Sequence, residues 1–83
     1  MIITKNLSKE TATALADVMK SKTVYFIGKV NGEEHLYNSV EWNKTDEEEV
    51  IFVGMAIYGK VNGKSYTLEI CEEEEEAFLY YRK

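Results

Sequence analysis

Side chains capable of nucleophilic chemistry are few in this chain. It contains one histidine, His35, and one cysteine, Cys71. Nucleophilic catalysis needs a nucleophile, a base and an orienting group, so these two residues form a catalytic pair only if separate hairpins bring them together. A lone cysteine within an apolar strand is typical of a small core residue. A structural zinc site needs several converging ligands, and no glycine-rich phosphate loop is present. The sequence therefore predicts a protein that is not an enzyme, with no metal centre and no cofactor.

Carboxylates dominate the charged side chains. The chain has 15 acidic and 10 basic residues and a net charge of −5. Residues 33–76 hold thirteen of the acids against three lysines. Such a field repels nucleic acid and anionic membranes and attracts basic surfaces. The run Glu72–Glu76 lacks the Asp/Asn/Gly pattern of a calcium loop, so we expect weak ion affinity there. The alternative is that the acids only solvate the surface.

The length of 83 residues predicts a single domain over residues 1–83. No apolar run approaches the roughly 20 residues that span a bilayer. The first residues lack the apolar segment of a signal peptide, and one cysteine fits a reducing compartment. We therefore expect a cytoplasmic protein that does not contact membranes.

A repeated pentapeptide, Gly-Lys-Val-Asn-Gly, occurs at residues 28–32 and 59–63. Asn-Gly between alternating apolar runs indicates a hairpin, because a type I′ turn needs positive φ at both central residues. The predicted strands of the two hairpins are Thr23–Val30 with Glu34–Trp42, and Glu49–Lys60 with Lys64–Glu72. A two-residue turn then pairs Phe26 with Tyr37, Ile57 with Leu68 and Val53 with Glu72.

The remaining segments predict a helix and additional strands. Ser8 can cap a helix within the first 21 residues, and residues 1–4 can form a short strand before it. Thr45 and Glu48 match a capping box, so a helix over 46–57 is an alternative, although its β-branched residues favour a strand. Aromatic residues favour a strand over a helix for Glu73–Lys83. The predicted fold is α+β, with one N-terminal helix on a four- to five-stranded antiparallel sheet. This order resembles the cystatin-type fold, without the cystatin inhibitory motifs.

The first hairpin has apolar residues on both faces. One face carries Val24, Phe26 and Tyr37, and the other carries Ile27, Leu36, Val40 and Trp42. A single helix covers only one face. The other face lies under the tail, curves into the same core, or remains exposed as a surface for a partner or a second copy.

Size, acidity, the absence of disulfides and the predicted sheet resemble the small acidic inhibitors encoded by phages and mobile elements, such as the anti-CRISPR proteins and the uracil-DNA glycosylase inhibitor. No motif of any one such family is present. The resemblance implies a non-catalytic inhibitor that occupies a basic nucleic-acid-binding surface of another protein. We expect the partner-binding residues to lie at one end of the molecule, opposite the Asn-Gly turns. They are Glu47, Glu48, Glu49, Glu72, Glu73, Glu74, Glu75 and Glu76. The alternative is a homodimerisation or interaction domain that binds through an edge strand or an apolar sheet face.

Overall fold

The computed structural model describes residues 1–83 as one antiparallel sheet with two short helices. The elements are β1 (Ile2–Ser8), α1 (Lys9–Val18), β2 (Lys20–Val30), β3 (Glu33–Tyr37), α2 (Ser39–Trp42), β4 (Ile51–Val61), β5 (Lys64–Cys71) and β6 (Glu76–Arg82). The six strands lie in the order β1-β6-β5-β4-β2-β3. The predicted outline of a helix on an antiparallel sheet is confirmed. The predicted count of four to five strands is wrong, because the N-terminal and C-terminal segments both join the sheet and pair with each other.

Helix α1 begins and ends at residues whose backbone is extended. The Ser8 side chain accepts a hydrogen bond of 3.1 Å from the Thr11 backbone N–H, which satisfies one of the free donors at the helix start. The helix ends before Met19, which has φ −68° and ψ 137°. Ala12 and Ala16 are its buried residues, and their small side chains allow the helix to lie close to the sheet.

The two hairpins turn at Asn-Gly pairs with positive φ. Asn31 and Gly32 have φ of 51° and 83°, and Asn62 and Gly63 have φ of 52° and 80°. Asparagine and glycine tolerate this region better than other residues. The flanking strands pair so that Phe26 lies opposite Tyr37 and Ile57 lies opposite Leu68.

The segment after β3 differs from the prediction. The strand predicted over Glu34–Trp42 is wrong beyond Tyr37, because Ser39–Trp42 forms α2. The Asn38 Oδ1 accepts a hydrogen bond of 2.8 Å from the Glu41 backbone N–H. The Glu41 Oε1 accepts one of 3.3 Å from the Asn38 N–H, which completes a capping box. Trp42 therefore does not share a strand face with Ile27.

The helix considered over 46–57 does not form, and β4 begins at Ile51. The prediction of a strand for the tail is confirmed by β6, which pairs with both β5 and β1. Neither helix has the length and apolar character that would be needed to cross a membrane.

Both helices pack on the same face of the sheet, which we call the covered face. Under α1 lies the main core, which consists of Ala12, Ala16, Met19, Ile57, Leu68, Ile70, Ala77 and Leu79. Under α2 lies an aromatic cluster of Phe26, Tyr37, Trp42 and Phe52. Phe26 and Trp42 stack at 5.3 Å with an interplanar angle of 18°. Gly28 lies beneath this cluster, because a Cβ there would be 2.5 Å from Val50 Cγ1 and 2.9 Å from the Tyr37 ring.

Candidate functional site

The opposite face of the sheet, which we call the open face, has no helix on it. Side chains alternate between the faces of a strand, so β5 directs Leu68 and Ile70 into the core and Thr67, Glu69 and Cys71 to the open face. The strand register assigns residues of the neighbouring strands to the same face. It carries Tyr25, Ile27, Leu36, Ala56, Tyr58, Thr67, Glu69, Cys71, Phe78 and Tyr80. Most of these side chains are only partly buried, so this face presents tyrosines and apolar groups to solvent.

Two side chains on the open face, Tyr80 and Cys71, have raised pKa values. Burial raises the pKa of Tyr80, and the neighbouring Glu69 carboxylate raises it further by charge repulsion and hydrogen bonding. Burial also raises the pKa of the Cys71 thiol, and Glu74, Glu69 and then Glu34 add repulsion against the thiolate. The thiolate is the reactive form of cysteine, so this environment makes Cys71 a poor nucleophile.

His35 and Cys71 do not converge. His35 lies opposite Gly28, which belongs to the covered face, whereas Cys71 lies opposite Gly54 on the open face. The His35 side chain is about half exposed, and its Nε2 is 3.9 Å from the Glu33 carboxylate. The sheet therefore separates the two residues that a catalytic pair would require.

One end of the sheet gathers most of the acids, and we call it the acidic pole. It consists of Glu33, Glu34, Asp46, Glu47, Glu48, Glu49, Glu72, Glu73, Glu74, Glu75 and Glu76. The strand register places them together, because β4 begins at this end where β5 ends and β6 begins. All eight glutamates predicted to bind a partner lie here and are exposed. Three lysines, Lys9, Lys29 and Lys44, are the cations at this end.

The position of the acidic pole relative to the turns differs in part from the prediction. It lies opposite the Asn62-Gly63 turn. The Asn31-Gly32 turn, however, lies at the same end as the acids, because Lys29 near that turn pairs with Ile51 at the start of β4. The prediction was wrong for this turn because β2 and β4, from different hairpins, are antiparallel neighbours. Glu72 does lie beside Val53, and its backbone N–H donates to the Val53 carbonyl at 2.8 Å.

Hydrogen bonds fix the backbone of both acidic loops. The Lys9 backbone N–H donates to the Glu75 carbonyl at 2.7 Å, and the Lys9 Nζ donates to the Glu72 carbonyl at 3.0 Å. In the other loop, the Asp46 carbonyl accepts from the Val50 N–H at 3.0 Å. The Asp46 Oδ1 accepts from the Glu48 N–H at 2.9 Å. The loops therefore hold their carboxylates on an ordered backbone.

The opposite end of the sheet, the basic pole, carries Lys20, Lys22, Lys60, Lys64, Arg82 and Lys83. Two depressions lie at this end. The larger, of about 620 Å³, has walls that include Tyr80 and Arg82. The smaller, of about 310 Å³, has walls that include Tyr58 and Lys60. Both depressions are lined by Ser65, Tyr66 and Thr67. The spacing Tyr-x-Lys in β4, Ser-x-Thr in β5 and Tyr-x-Arg in β6 is the sequence signal that could have revealed these residues as neighbours once the register was known.

No group of three or more histidine, cysteine, aspartate or glutamate side chains is arranged to hold a metal ion. The acidic pole is thus an array of separate carboxylates, and the basic pole contains two depressions lined by tyrosines, hydroxyls and cations. No protein-family model, no curated protein and no solved structure matches this chain.

Proposed function

We propose that this protein is a non-catalytic, cytoplasmic protein-binding module. Its acidic pole occupies a basic, nucleic-acid-binding surface of another protein and so acts as an inhibitor of the phage or mobile-element type. The observation that carries this proposal is the placement of eleven of the fifteen acids at one end of the sheet. Only three lysines oppose them there, and like charges at this density repel one another and destabilise the fold. A cationic partner relieves that repulsion.

The geometry of the pole suits mimicry of a phosphate backbone. One DNA strand places a charge about every 3.4 Å along the duplex axis. Residues on one face of a strand recur about every 6.8 Å, and adjacent strands lie about 4.8 Å apart. Carboxylates from neighbouring strands and loops can therefore approach the spacing of phosphates. Because the loop backbones are fixed by hydrogen bonds, little entropy is lost when they meet a rigid basic surface.

Competitive capture tests this proposal with matched charge reversals. Immobilised protein should retain nucleic-acid-binding proteins from a bacterial lysate, and added duplex DNA or salt should release them. Glu74→Lys at the acidic pole should lose this capture. Asp17→Lys, an equal charge change on an exposed residue near the basic pole, should keep it. Equal capture by the two variants, or capture that duplex DNA does not displace, would exclude the acidic pole as the binding surface.

The open face supports a second candidate function, homodimerisation. Leu36 is 51% exposed and Tyr58 is 39% exposed on this face, and β3 is an edge strand with one unpaired side. An apolar sheet face or an open edge can pair with a second copy. Light scattering should then show a dimer that salt does not dissociate but Leu36→Lys does. A monomer at every salt concentration contradicts this candidate.

A further inference from the structure

The outer edge of β1 carries backbone hydrogen-bonding groups that no other strand of the protein uses. β1 lies at one edge of the sheet and pairs with β6 on its inner side alone. We propose that this edge binds the β1 edge of a second copy in antiparallel orientation, so that the two six-stranded sheets join into one. The proposal takes up homodimerisation, the second candidate function, but assigns it to a different surface from the open face.

The hydrogen bonds at the two ends of β1 show which of its residues face outward. The Met1 carbonyl accepts from the Lys83 backbone N–H at 3.1 Å, and the Lys9 backbone N–H donates to the Glu75 carbonyl at 2.7 Å. Alternate residues of an antiparallel strand bond to the same neighbour, and the register of β1 with β6 is continuous. The odd-numbered residues therefore bond to β6, and the backbone groups of the even-numbered residues point away from the sheet.

Three residues within β1 face outward in this way: Ile2, Thr4 and Asn6. All three are exposed, and no backbone group of another segment bonds to them on the outer side. Unpaired N–H and C=O groups along a sheet edge form a template for another strand. An added strand satisfies these groups with the same ladder of hydrogen bonds that joins the strands within the protein.

The β1 edge lacks the features that protect edge strands from pairing. Natural edges are kept short, bulged, interrupted by proline or guarded by charge. β1 has seven residues and a continuous register with β6, and the chain contains no proline. Its one charged side chain, Lys5, shares the covered face with the core residue Leu79 opposite it. The Lys5 Nζ lies 5.9 Å from the centre of the Tyr81 ring, so this charge is turned over β6 and does not guard the edge.

The other edge strand, β3, is protected by its length and its charge. It has five residues, and α2 begins two residues after it ends. Glu33 and Glu34 occupy its first two positions, where they belong to the acidic pole. A short, charged edge is a poor template for a second strand. The contrast between the two edges therefore favours β1 as the edge that pairs.

The charge distribution favours a second copy in antiparallel orientation. β1 runs from the basic pole, where Ile2 lies opposite Arg82, to the acidic pole, where Ser8 lies opposite Glu76. Antiparallel pairing places the acidic pole of each copy on the same side as the basic pole of the other, which is electrostatically complementary. A parallel arrangement would bring like poles together. The antiparallel dimer also leaves both acidic poles exposed, at opposite ends of the joined sheet.

The register of the dimer follows from which residues can lie opposite each other. Outward-facing residues must pair with outward-facing residues, so the two-fold axis passes beside Thr4, Lys5 or Asn6. An axis at Lys5 sets two ammonium groups directly opposite each other, which is destabilising. An axis at Asn6 aligns Ile2 with Glu10, which belongs to α1. An axis at Thr4 avoids both, because it pairs Thr4 with Thr4 and Ile2 with Asn6 of the second copy.

Amide hydrogen exchange and NMR test the edge directly. As the protein concentration rises and the dimer forms, the amides of Thr4 and Asn6 should become protected from exchange. The amide of Lys5, which bonds to β6, should be protected at every concentration. Ile3 and Lys5 of the other copy lie opposite each other in this register, so their Hα atoms should show a nuclear Overhauser effect in a mixed-labelled dimer. Within one strand these two residues are about 6.8 Å apart, so the contact can arise only between copies.

Variants assign the dimer to the β1 edge. Thr4→Pro removes an outward-facing N–H that the monomer does not use, so the protein should stay folded while the dissociation constant of the dimer rises roughly tenfold or more. Thr4→Lys keeps the N–H but sets two like charges opposite each other, and it should weaken the dimer even if the proline variant does not fold. Thr23→Lys, the same change at an exposed residue of the interior strand β2, should leave the dimer intact.

Sedimentation and light scattering measure these dissociation constants. A monomer at every concentration overturns the proposal and homodimerisation with it. A dimer that Leu36→Lys dissociates and Thr4→Lys does not overturns this proposal alone, because it assigns the contact to the open face. Amides of Thr4 and Asn6 that remain unprotected in the dimer also overturn it. None of these results affects the proposal for the acidic pole, which the capture experiment tests separately.

Discussion

The two faces of the sheet are built from the same strands but carry different kinds of side chain. On β5, Leu68 is completely buried beneath α1, while the adjacent Thr67 lines both depressions of the basic pole. The covered face is apolar and closed by two helices, and the open face mixes tyrosines, hydroxyls and a carboxylate. Because side chains alternate with a period of two, neighbouring residues of one strand belong to different faces.

This division allows so short a chain to leave one face of its sheet without a helix. The covered face concentrates the stabilising contacts in one core and one aromatic cluster. The open face then remains free to carry exposed groups, while its backbone is held by the hydrogen bonds of the central strands. Mutations that affect the two faces should therefore differ sharply in their effect on unfolding.

The largest expected effect is that of Leu68→Ala on the covered face. Leu68 is 0% exposed, and the truncation of a buried leucine costs about 2–5 kcal/mol through lost transfer free energy and the remaining cavity. Urea denaturation followed by circular dichroism measures the change in the free energy of unfolding. Thr67→Ala is the matched control, and we expect it to cost less than about 1 kcal/mol. Similar costs for the two variants would contradict the division between faces.

Trp42→Ala should have the next largest effect. Trp42 contacts Phe26, Tyr37 and Phe52 at ring-centroid distances of 5.3 to 5.7 Å, but it is only partly buried. We expect a loss of about 2 kcal/mol, below the 3–5 kcal/mol for a fully buried ring. Thermal unfolding measures it. Val40→Ala, an exposed position in the same helix, should have little effect. If both variants unfold at the temperature of the wild type, α2 does not stabilise the sheet.

Several parts of this fold follow from local sequence signals. Ser8 indicated a capped helix within the first 21 residues, and α1 begins directly after Ser8. Aromatic residues in the tail indicated a strand, and β6 spans Glu76–Arg82. These features depend on capping and strand propensity, which act over a few residues. They could therefore be predicted without knowledge of the tertiary structure.

The features that were missed depend on longer-range contacts. The capping box of Asn38 and Glu41 stops β3 early, but a pattern of apolar residues in that segment also fits a strand. The packing of Trp42 on Phe26 favours the helix over a continued strand. The placement of the Asn31-Gly32 turn and the depressions of the basic pole depend on the pairing of β2 with β4 and of β5 with β6. The sequence alone did not define those pairings.

Neutralisation of the acidic pole should have a smaller effect, and it should be stabilising. Glu73→Gln with Glu74→Gln removes two exposed charges from a region of like charge. We expect the free energy of unfolding to rise by up to about 1 kcal/mol at low salt, and the gain to shrink as salt screens the repulsion. Denaturation at two ionic strengths measures this. A loss of stability on neutralisation would show that these carboxylates do not repel one another in the folded protein.

The smallest expected effect concerns pH and the open face. Because burial and Glu69 raise the pKa of Tyr80 above its ordinary value of 10.0, the folded state favours the protonated phenol. The resulting contribution to stability is present below pH 10.0 and is lost as the pH rises through the raised pKa of the folded state. Tyr80→Phe should therefore lose less stability than the wild type over that alkaline range.

Glu69→Gln separates the two causes of this shift. The substitution removes the negative charge but leaves the burial, so the pKa of Tyr80 should fall only part of the way towards 10.0. The chemical shift of the Tyr80 phenol carbon as a function of pH measures it directly. An unchanged Tyr80 titration would mean that Glu69 does not act on the phenol.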